Sequence, residues 1–165
     1  MTRSRGLGDV YKRQGIESEE RGMSEAIAKN LSLLSNLKTP IIVIITGEGG
    51  SGGALAIGIG DHVCMLEHSI YAVASPEACA SIVWRDGSKA KDAAEAMKVD
   101  ASNLKNLGLV DEVIEEPLGG AHRDIRGVSN SISQVIEKKL LTFDEVDISD
   151  LINKRYEKIM SYGSI

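Results

Sequence analysis

Residues 47–55, Gly-Glu-Gly-Gly-Ser-Gly-Gly-Ala-Leu, follow one residue after the apolar run Ile-Ile-Val-Ile-Ile at residues 41–45. Five of the seven residues from 47 to 53 are glycine, and another apolar stretch comes next. Glycine permits a positive φ angle and lets another molecule approach the main chain closely. The pattern predicts a buried strand, a glycine loop and a helix whose first N–H groups can bind an oxyanion. We therefore place the functional site at this loop.

The composition is ordinary for one soluble domain of 165 residues, with 42% hydrophobic and 26% charged residues. A net charge of -5 and only 4% aromatic residues argue against a nucleic-acid partner. No apolar run approaches the roughly 18 residues that a membrane span needs. Cys64 and Cys79 form no CxxC pair and no metal-ligand spacing. We expect buried free thiols, a reducing cytoplasm and no metal site in this chain.

Residues 1–14 differ in character from the rest of the chain. Their charged residues are mostly basic, and no helical or strand periodicity runs through them. The hydrophobic region of a secretory signal is missing. We predict that residues 1–14 are a disordered tail foreign to the domain, and that residues 15–165 form the domain.

From residue 15 onward, strand and helix patterns alternate. Ser75-Pro76-Glu77 is a strong helix start, with serine as the cap and proline at the first helical position. Alternation of this kind predicts an α/β domain with crossover connections between parallel strands. The predicted strands are 41–46, 63–66, 70–74 and 109–114. The first predicted helix has Glu17, Glu19 and Glu20 in its first turn and stops before Thr39 and Pro40. A second follows the glycine loop through about residue 59, a third begins at residue 76, and the others are 88–97, 101–107, 128–140 and 149–161.

The glycine loop admits several chemical interpretations. Residues 49–53 match a G-x-S-x-G nucleophile elbow, and chain order would allow a triad of Ser51, Asp111 and His122. The loop also contains a lone GxGxxG, with Glu67 as a loose match for the acidic ribose partner, but no Gly-Lys-Ser/Thr follows. The remaining alternative is a purely structural role, in which the loop is a tight turn that packs a helix against a sheet.

A further interpretation is an oxyanion hole without a side-chain nucleophile. Backbone N–H groups would then stabilise an enolate or a ureido oxyanion, and each such donor is worth about 2.7–4 kcal/mol in acyl transfer. The density of glycine in the loop exceeds what an elbow requires, which favours this interpretation.

Several motifs stand in a recognisable order along the chain, at residues 19–22, 47–61, 75–77, 107–113, 116–123, 155–156 and 160–163. Together they resemble the crotonase superfamily and, within it, the family of bacterial acetyl-CoA carboxylase carboxyltransferase alpha subunits. The resemblance covers residues 15–163. It implies a ClpP/crotonase-like spiral of ββα units, with the amino-terminal part of that fold missing here.

The resemblance also implies residue roles. Gly52 and Gly53 would be catalytic, giving N–H groups to the carbonyl of carboxybiotin, while Gly49 and Gly50 would shape the substrate-binding loop. Ser51 would be a turn residue. His122 would be structural or interface-forming, and no metal is expected.

The same resemblance implies partners. A biotin carboxyl carrier protein would supply carboxybiotin, and a beta subunit would bind acetyl-CoA in an alpha2beta2 heterotetramer that makes malonyl-CoA for fatty-acid synthesis in the cytoplasm. Because the family's early strands are absent, we expect the chain alone to be inactive and marginally stable, with an unpaired sheet edge. A non-catalytic fragment that keeps only subunit contacts is the remaining alternative.

Overall fold

The computed structural model describes residues 20–163, except the side chains of residues 23 and 55–57. Helices and strands alternate along the chain, as the sequence predicts. The strands are β1 (Ile42–Ile45), β2 (Glu48–Gly50), β3 (His62–Leu66), β4 (Ile70–Ala72) and β5 (Glu112–Ile114). The α-helices are α1 (Met23–Ser35), α2 (Ser51–Ile57), α3 (Pro76–Trp84), α4 (Ala90–Met97), α5 (Ala101–Asn106), α6 (Ile125–Phe143) and α7 (Ile148–Ser161), with 3-10 turns at Gly87–Lys89 and Ala121–Arg123.

The strands form two parallel sheets. One has three strands in the order β1-β3-β5, and the other pairs β2 with β4. Ile42 lies opposite His62, and Cys64 lies opposite Glu112. Parallel neighbours need crossover connections, and helices provide them here. The predicted α/β class is confirmed.

The central strand β3 divides the core into two layers because its side chains alternate between the two faces of the sheet. All five of its residues are buried. Val63 and Met65 pack on one face, in a cluster with Ile45, Ala101, Leu104 and Val110. Cys64 and Leu66 pack on the other, with Ile114 and Val128.

The prediction of a buried strand at residues 41–46 is wrong for most of its length. Only Ile45 of β1 is buried, and the other three residues are half-buried. Within residues 20–163, β1 pairs with β3 alone and lies at the edge of the sheet. Cys79 is likewise half-buried rather than buried, whereas Cys64 is fully buried as expected; both are free thiols.

Backbone hydrogen bonds explain one shifted strand start and one strand that the sequence did not predict. The chain after α5 does not extend at residue 109, because the N–H groups of Leu109 and Val110 both donate to the carbonyl of Leu104. The loop prediction missed β2, since residues 48–50 are held extended only by pairing with β4.

The helix start at Ser75 is confirmed. The Ser75 hydroxyl accepts a hydrogen bond from the N–H of Ala78 at 3.2 Å, and Pro76 occupies the first turn. The acidic residues Glu17 and Glu19, and the tail at 1–14, lie outside the described residues. Within residues 20–163, no helix has the length and apolar content needed to cross a bilayer.

Arg155 ties the last helix to the rest of the domain. Its side chain is 1% exposed, and its Nε and Nη2 donate to the Asp61 carboxylate at 2.8 and 2.7 Å. The remaining donors reach the carbonyls of Leu34, Leu37 and Thr39 at 2.8–2.9 Å. Arg155 thus fixes the carboxyl end of α1 and the exit from α2. The positive charge of this α7 residue is used for contacts within the chain.

Candidate functional site

The glycine loop runs through β2 directly into α2. Gly50 is extended, with φ −141° and ψ 152°, and Ser51 follows with φ 53°. The sharp turn therefore falls on the serine, and none of the loop glycines has a positive φ angle. A non-glycine residue in the left-handed region carries roughly 1–2 kcal/mol of strain, and such strain often accompanies functional sites.

Gly49 is required for close packing instead. A Cβ added there would lie 2.9 Å from Cδ2 of Tyr71 and 3.9 Å from Cγ2 of Ile45. The Tyr71 hydroxyl then donates a hydrogen bond to the carbonyl of Ala54 at 2.6 Å. Tyr71 thus clamps the end of β2 and the first turns of α2 together.

Burial raises the pKa of Tyr71. The hydroxyl is therefore protonated at neutral pH and remains a donor to Ala54. Sequence reasoning missed this residue, because only the pairing of β2 with β4 brings its ring against the loop.

Gly52 and Gly53 lie in the first turn of α2, where helix N–H groups have no acceptor within the helix. Gly50 at the cap position provides no side-chain hydrogen bond to them. A Cβ at Gly52 would meet only Ile27 Cδ1, at 3.9 Å, so this backbone is not crowded by neighbouring side chains. The first turn carries a partial positive charge that suits an anionic oxygen.

A mainly apolar cavity of about 460 Å³ adjoins this turn. Its volume is within the usual range for small-molecule sites. Ser51, Ala54 and Tyr71 of the loop region line one side, and Val73, Met97 and Leu104 contribute to the rest. Since Val73 is 77% exposed, the cavity opens to the surface.

The structure does not assemble the triad considered from the sequence. Among residues 20–163, no hydrogen bond joins Ser51, Asp111 and His122. The Asp111 carboxylate instead accepts from the N–H of Val63 at 2.7 Å and pairs with Lys158. His122 lies in the 3-10 turn that follows β5.

The nucleotide interpretation gains no support either. The Glu67 carboxylate accepts a hydrogen bond from the backbone N–H of Glu116 at 3.2 Å, at the end of β5. In the described structure Glu67 therefore joins two loops, and the GxGxxG at Gly47, Gly49 and Gly52 has no acidic partner from this position.

Comparison with known proteins gives the family. A family of proteins described as acetyl co-enzyme A carboxylase carboxyltransferase-like matches residues 12–163. The acetyl-coenzyme A carboxylase carboxyl transferase subunit alpha of Vibrio cholerae is 55% identical over 149 residues, which are 90% of this chain and 47% of that protein. The same subunit of Alcanivorax borkumensis is 55% identical over 151 residues, covering 92% and 47%. The chain thus spans about half the length of the curated relatives it matches.

Solved structures agree on the fold. A Pseudomonas malonate decarboxylase hetero-tetramer in complex with coenzyme A aligns with a TM-score of 0.59, at 18% identity, over 86% of this chain and 56% of that one. An enoyl-CoA hydratase/isomerase from Marinobacter aquaeolei aligns with a TM-score of 0.53, at 16% identity, over 92% and 56%.

The alignments confirm the predicted crotonase-like fold, in partial form, and the resemblance of the sequence motifs is confirmed by the relatives. Residues 12–163 contain all of the described glycine loop, the cavity and the Arg155 contacts. The chain belongs to the acetyl co-enzyme A carboxylase carboxyltransferase-like family.

Proposed function

We propose that this chain is a carboxyltransferase alpha subunit of acetyl-CoA carboxylase. In this role it binds carboxybiotin, presented by a biotin carboxyl carrier protein, and a beta subunit binds acetyl-CoA. Transfer of the carboxyl group then gives malonyl-CoA, the first step of fatty-acid synthesis, in the cytoplasm. Family membership and 55% identity to named alpha subunits support the proposal.

The observation that carries the proposal is the junction of the first turn of α2 with the apolar cavity. Gly52 and Gly53 lie in this turn between Ser51 and Ala54, which line the cavity, and the rest of its lining is mostly aliphatic. The N–H groups of the turn suit a ureido oxygen, and the apolar walls suit the uncharged parts of a bicyclic ring. The residues present therefore fit carboxybiotin.

In this reaction the chain stabilises developing negative charge and positions the bound group. Bound carboxybiotin supplies the carboxyl group and, once that group leaves, a ring nitrogen that can take the methyl proton of acetyl-CoA. The N–H groups of Gly52 and Gly53 stabilise negative charge that develops on the ureido oxygen. Tyr71 holds the turn in position, and Ser51 acts as a turn residue.

The open side of the cavity is where a partner completes the site. Val73 lines the cavity yet is largely exposed, and Ile82 and Val83 are exposed on the helix that follows. A beta subunit in an alpha2beta2 heterotetramer would cover such apolar surface and exclude water from the reacting groups.

Reconstitution tests the proposal. The chain is co-expressed with a beta subunit, and malonyl-CoA formation from carboxybiotin and acetyl-CoA is measured for the complex and for each component alone. We expect turnover only with both. If the beta subunit co-purifies with the folded chain and no malonyl-CoA forms, the chain is a non-catalytic fragment that retains subunit contacts.

A further inference from the structure

Three side chains with metal-binding atoms converge on the face of the main sheet that carries α6. His62 and Cys64 are two positions apart on β3, so both project from the same face. The sheet register places Glu112 of β5 directly beside Cys64. One ligand atom from each of the three residues lies within 4.8 Å of the other two.

The atoms offered are an imidazole nitrogen, a thiol sulfur and a carboxylate oxygen. This mixture suits zinc and similar divalent transition cations, which take four ligands in tetrahedral geometry. We propose that His62, Cys64 and Glu112 bind one such cation, with water as the fourth ligand. The site is built on two paired strands, which hold ligands more precisely than loops do.

The contact between His62 and Glu112 fits a pair of metal ligands. Nε2 of His62 lies 3.1 Å from the Glu112 carboxylate. Two ligands at about 2.0–2.1 Å from zinc are separated by roughly 3.3 Å at tetrahedral angles. The other ring nitrogen, Nδ1, lies 3.7 Å from the Asp111 carboxylate. At this distance the two groups do not form a hydrogen bond, and the same Asp111 oxygen accepts from the N–H of Val63 and pairs with Lys158.

Burial and access are both suitable. His62 and Cys64 are buried, while the Glu112 side chain is 31% exposed and gives the cation a route from solvent. Burial raises the pKa of the Cys64 thiol to about 11. Cation binding must therefore release the thiol proton to solvent, and the new sulfur–metal bond replaces the S–H bond.

The proposed site is separate from the glycine loop. Val63 and Met65 point to the opposite face of β3, where they pack with the cluster that adjoins the cavity. The cation would join β3 to β5 and stabilise the fold, without contact with the carboxyl group being transferred. The proposal therefore holds or fails independently of the carboxyltransferase assignment.

Cobalt(II) binding tests the proposal directly on the purified full chain. A thiolate ligand gives Co²⁺ an intense sulfur-to-metal charge-transfer absorption in the near ultraviolet. We expect this band to saturate at one Co²⁺ per chain and to disappear when Zn²⁺ is added. Cys64→Ala should abolish the band, and Cys79→Ala, which removes the other thiol, should leave it unchanged.

A second variant guards against misfolding of the buried Cys64 substitution. Glu112→Gln preserves shape at a half-exposed position and should weaken Co²⁺ binding at least tenfold, while His68→Gln, at an exposed histidine, should not. Far-ultraviolet circular dichroism establishes that each variant is folded. A folded wild-type chain without the charge-transfer band, or a band that persists in Cys64→Ala, would overturn the proposal.

Discussion

The Tyr71 hydroxyl donates a hydrogen bond to the carbonyl of Ala54 at 2.6 Å, while the same ring lies against Gly49. The Tyr71 side chain thus joins β2 to the helix α2 that follows it. Because the first turn of α2 carries the proposed donors, its position depends on this contact.

Tyr71→Phe tests whether the hydrogen bond from Tyr71 to Ala54 holds the loop in position. The variant keeps the ring against Gly49 and loses the hydrogen bond to Ala54, whose carbonyl then accepts only from the N–H of Gly58. We expect a loss of about 0.5–1.5 kcal/mol in the free energy of unfolding, measured in urea, and lower turnover with the beta subunit. Tyr156→Phe is the matched control, since Tyr156 is 65% exposed. Equal effects of the two variants on stability and turnover would contradict this role of Tyr71.

The stability of the chain should also respond to alkaline pH through Tyr71. Burial raises its pKa, so the unfolded chain loses this proton at a lower pH than the folded chain. The stabilisation is complete below the unfolded pKa of about 10 and is lost as pH rises through the folded value. Urea unfolding from neutral to alkaline pH should show a smaller decline for Tyr71→Phe than for wild type.

Gly49→Ala should damage the loop, because the added Cβ would lie 2.9 Å from the Tyr71 ring. We expect destabilisation of about 1–3 kcal/mol, typical of overpacking. At Gly47 a Cβ meets nothing within 4 Å, and Gly47→Ala should change stability by less than about 0.5 kcal/mol. The measurement is a comparison of the melting temperatures of the two variants. A similar melting temperature for both would show that Tyr71 does not restrict position 49.

Arg155→Met should be severely destabilising. It leaves the Asp61 carboxylate buried, together with the carbonyls of Leu34 and Leu37, without their cationic partner. Breaking a buried pair in this way costs about 3–5 kcal/mol. Lys29→Met removes the exposed pair with Glu25 and should cost only about 0.3–0.5 kcal/mol. Urea midpoints that shift equally would contradict the assigned role of Arg155.

Ser51 distinguishes carboxyl transfer from hydrolysis. Its positive φ angle between a strand and a helix is a feature shared with nucleophile elbows, yet no hydrogen bond links it to Asp111 or His122 in the described structure. We expect no labelling by a fluorophosphonate probe and substantial turnover by Ser51→Ala. Covalent labelling of Ser51 in wild type, with loss of activity in the variant, would favour a hydrolase.

Local patterns were sufficient for part of the fold and of the site. The glycines after an apolar run predicted the strand, loop and helix around Gly52, and the Ser75-Pro76 pair predicted the start of α3. These features depend on neighbours in the chain, which a single sequence displays.

Features that depend on strand pairing were missed. The partners Tyr71 and Ala54 are 17 positions apart, and His62 and Glu112 are 50 apart. Cysteine spacing alone gave no sign of a metal site, because the ligands beside Cys64 come from the sheet register and not from a local motif. The half-buried state of β1 has the same origin, since its burial depends on how many strands flank it.

Replacement of the Gly52 amide by an ester tests the central claim most directly. Incorporation of glycolic acid at position 52 replaces the backbone N–H by an oxygen, adds no side chain and keeps the neighbouring carbonyls. In complex with a beta subunit, the ester chain should form malonyl-CoA about 10²–10³-fold more slowly than the native chain, as loss of one oxyanion donor does, with unchanged melting temperature. Unchanged turnover by the ester at both position 52 and position 53 would contradict the account.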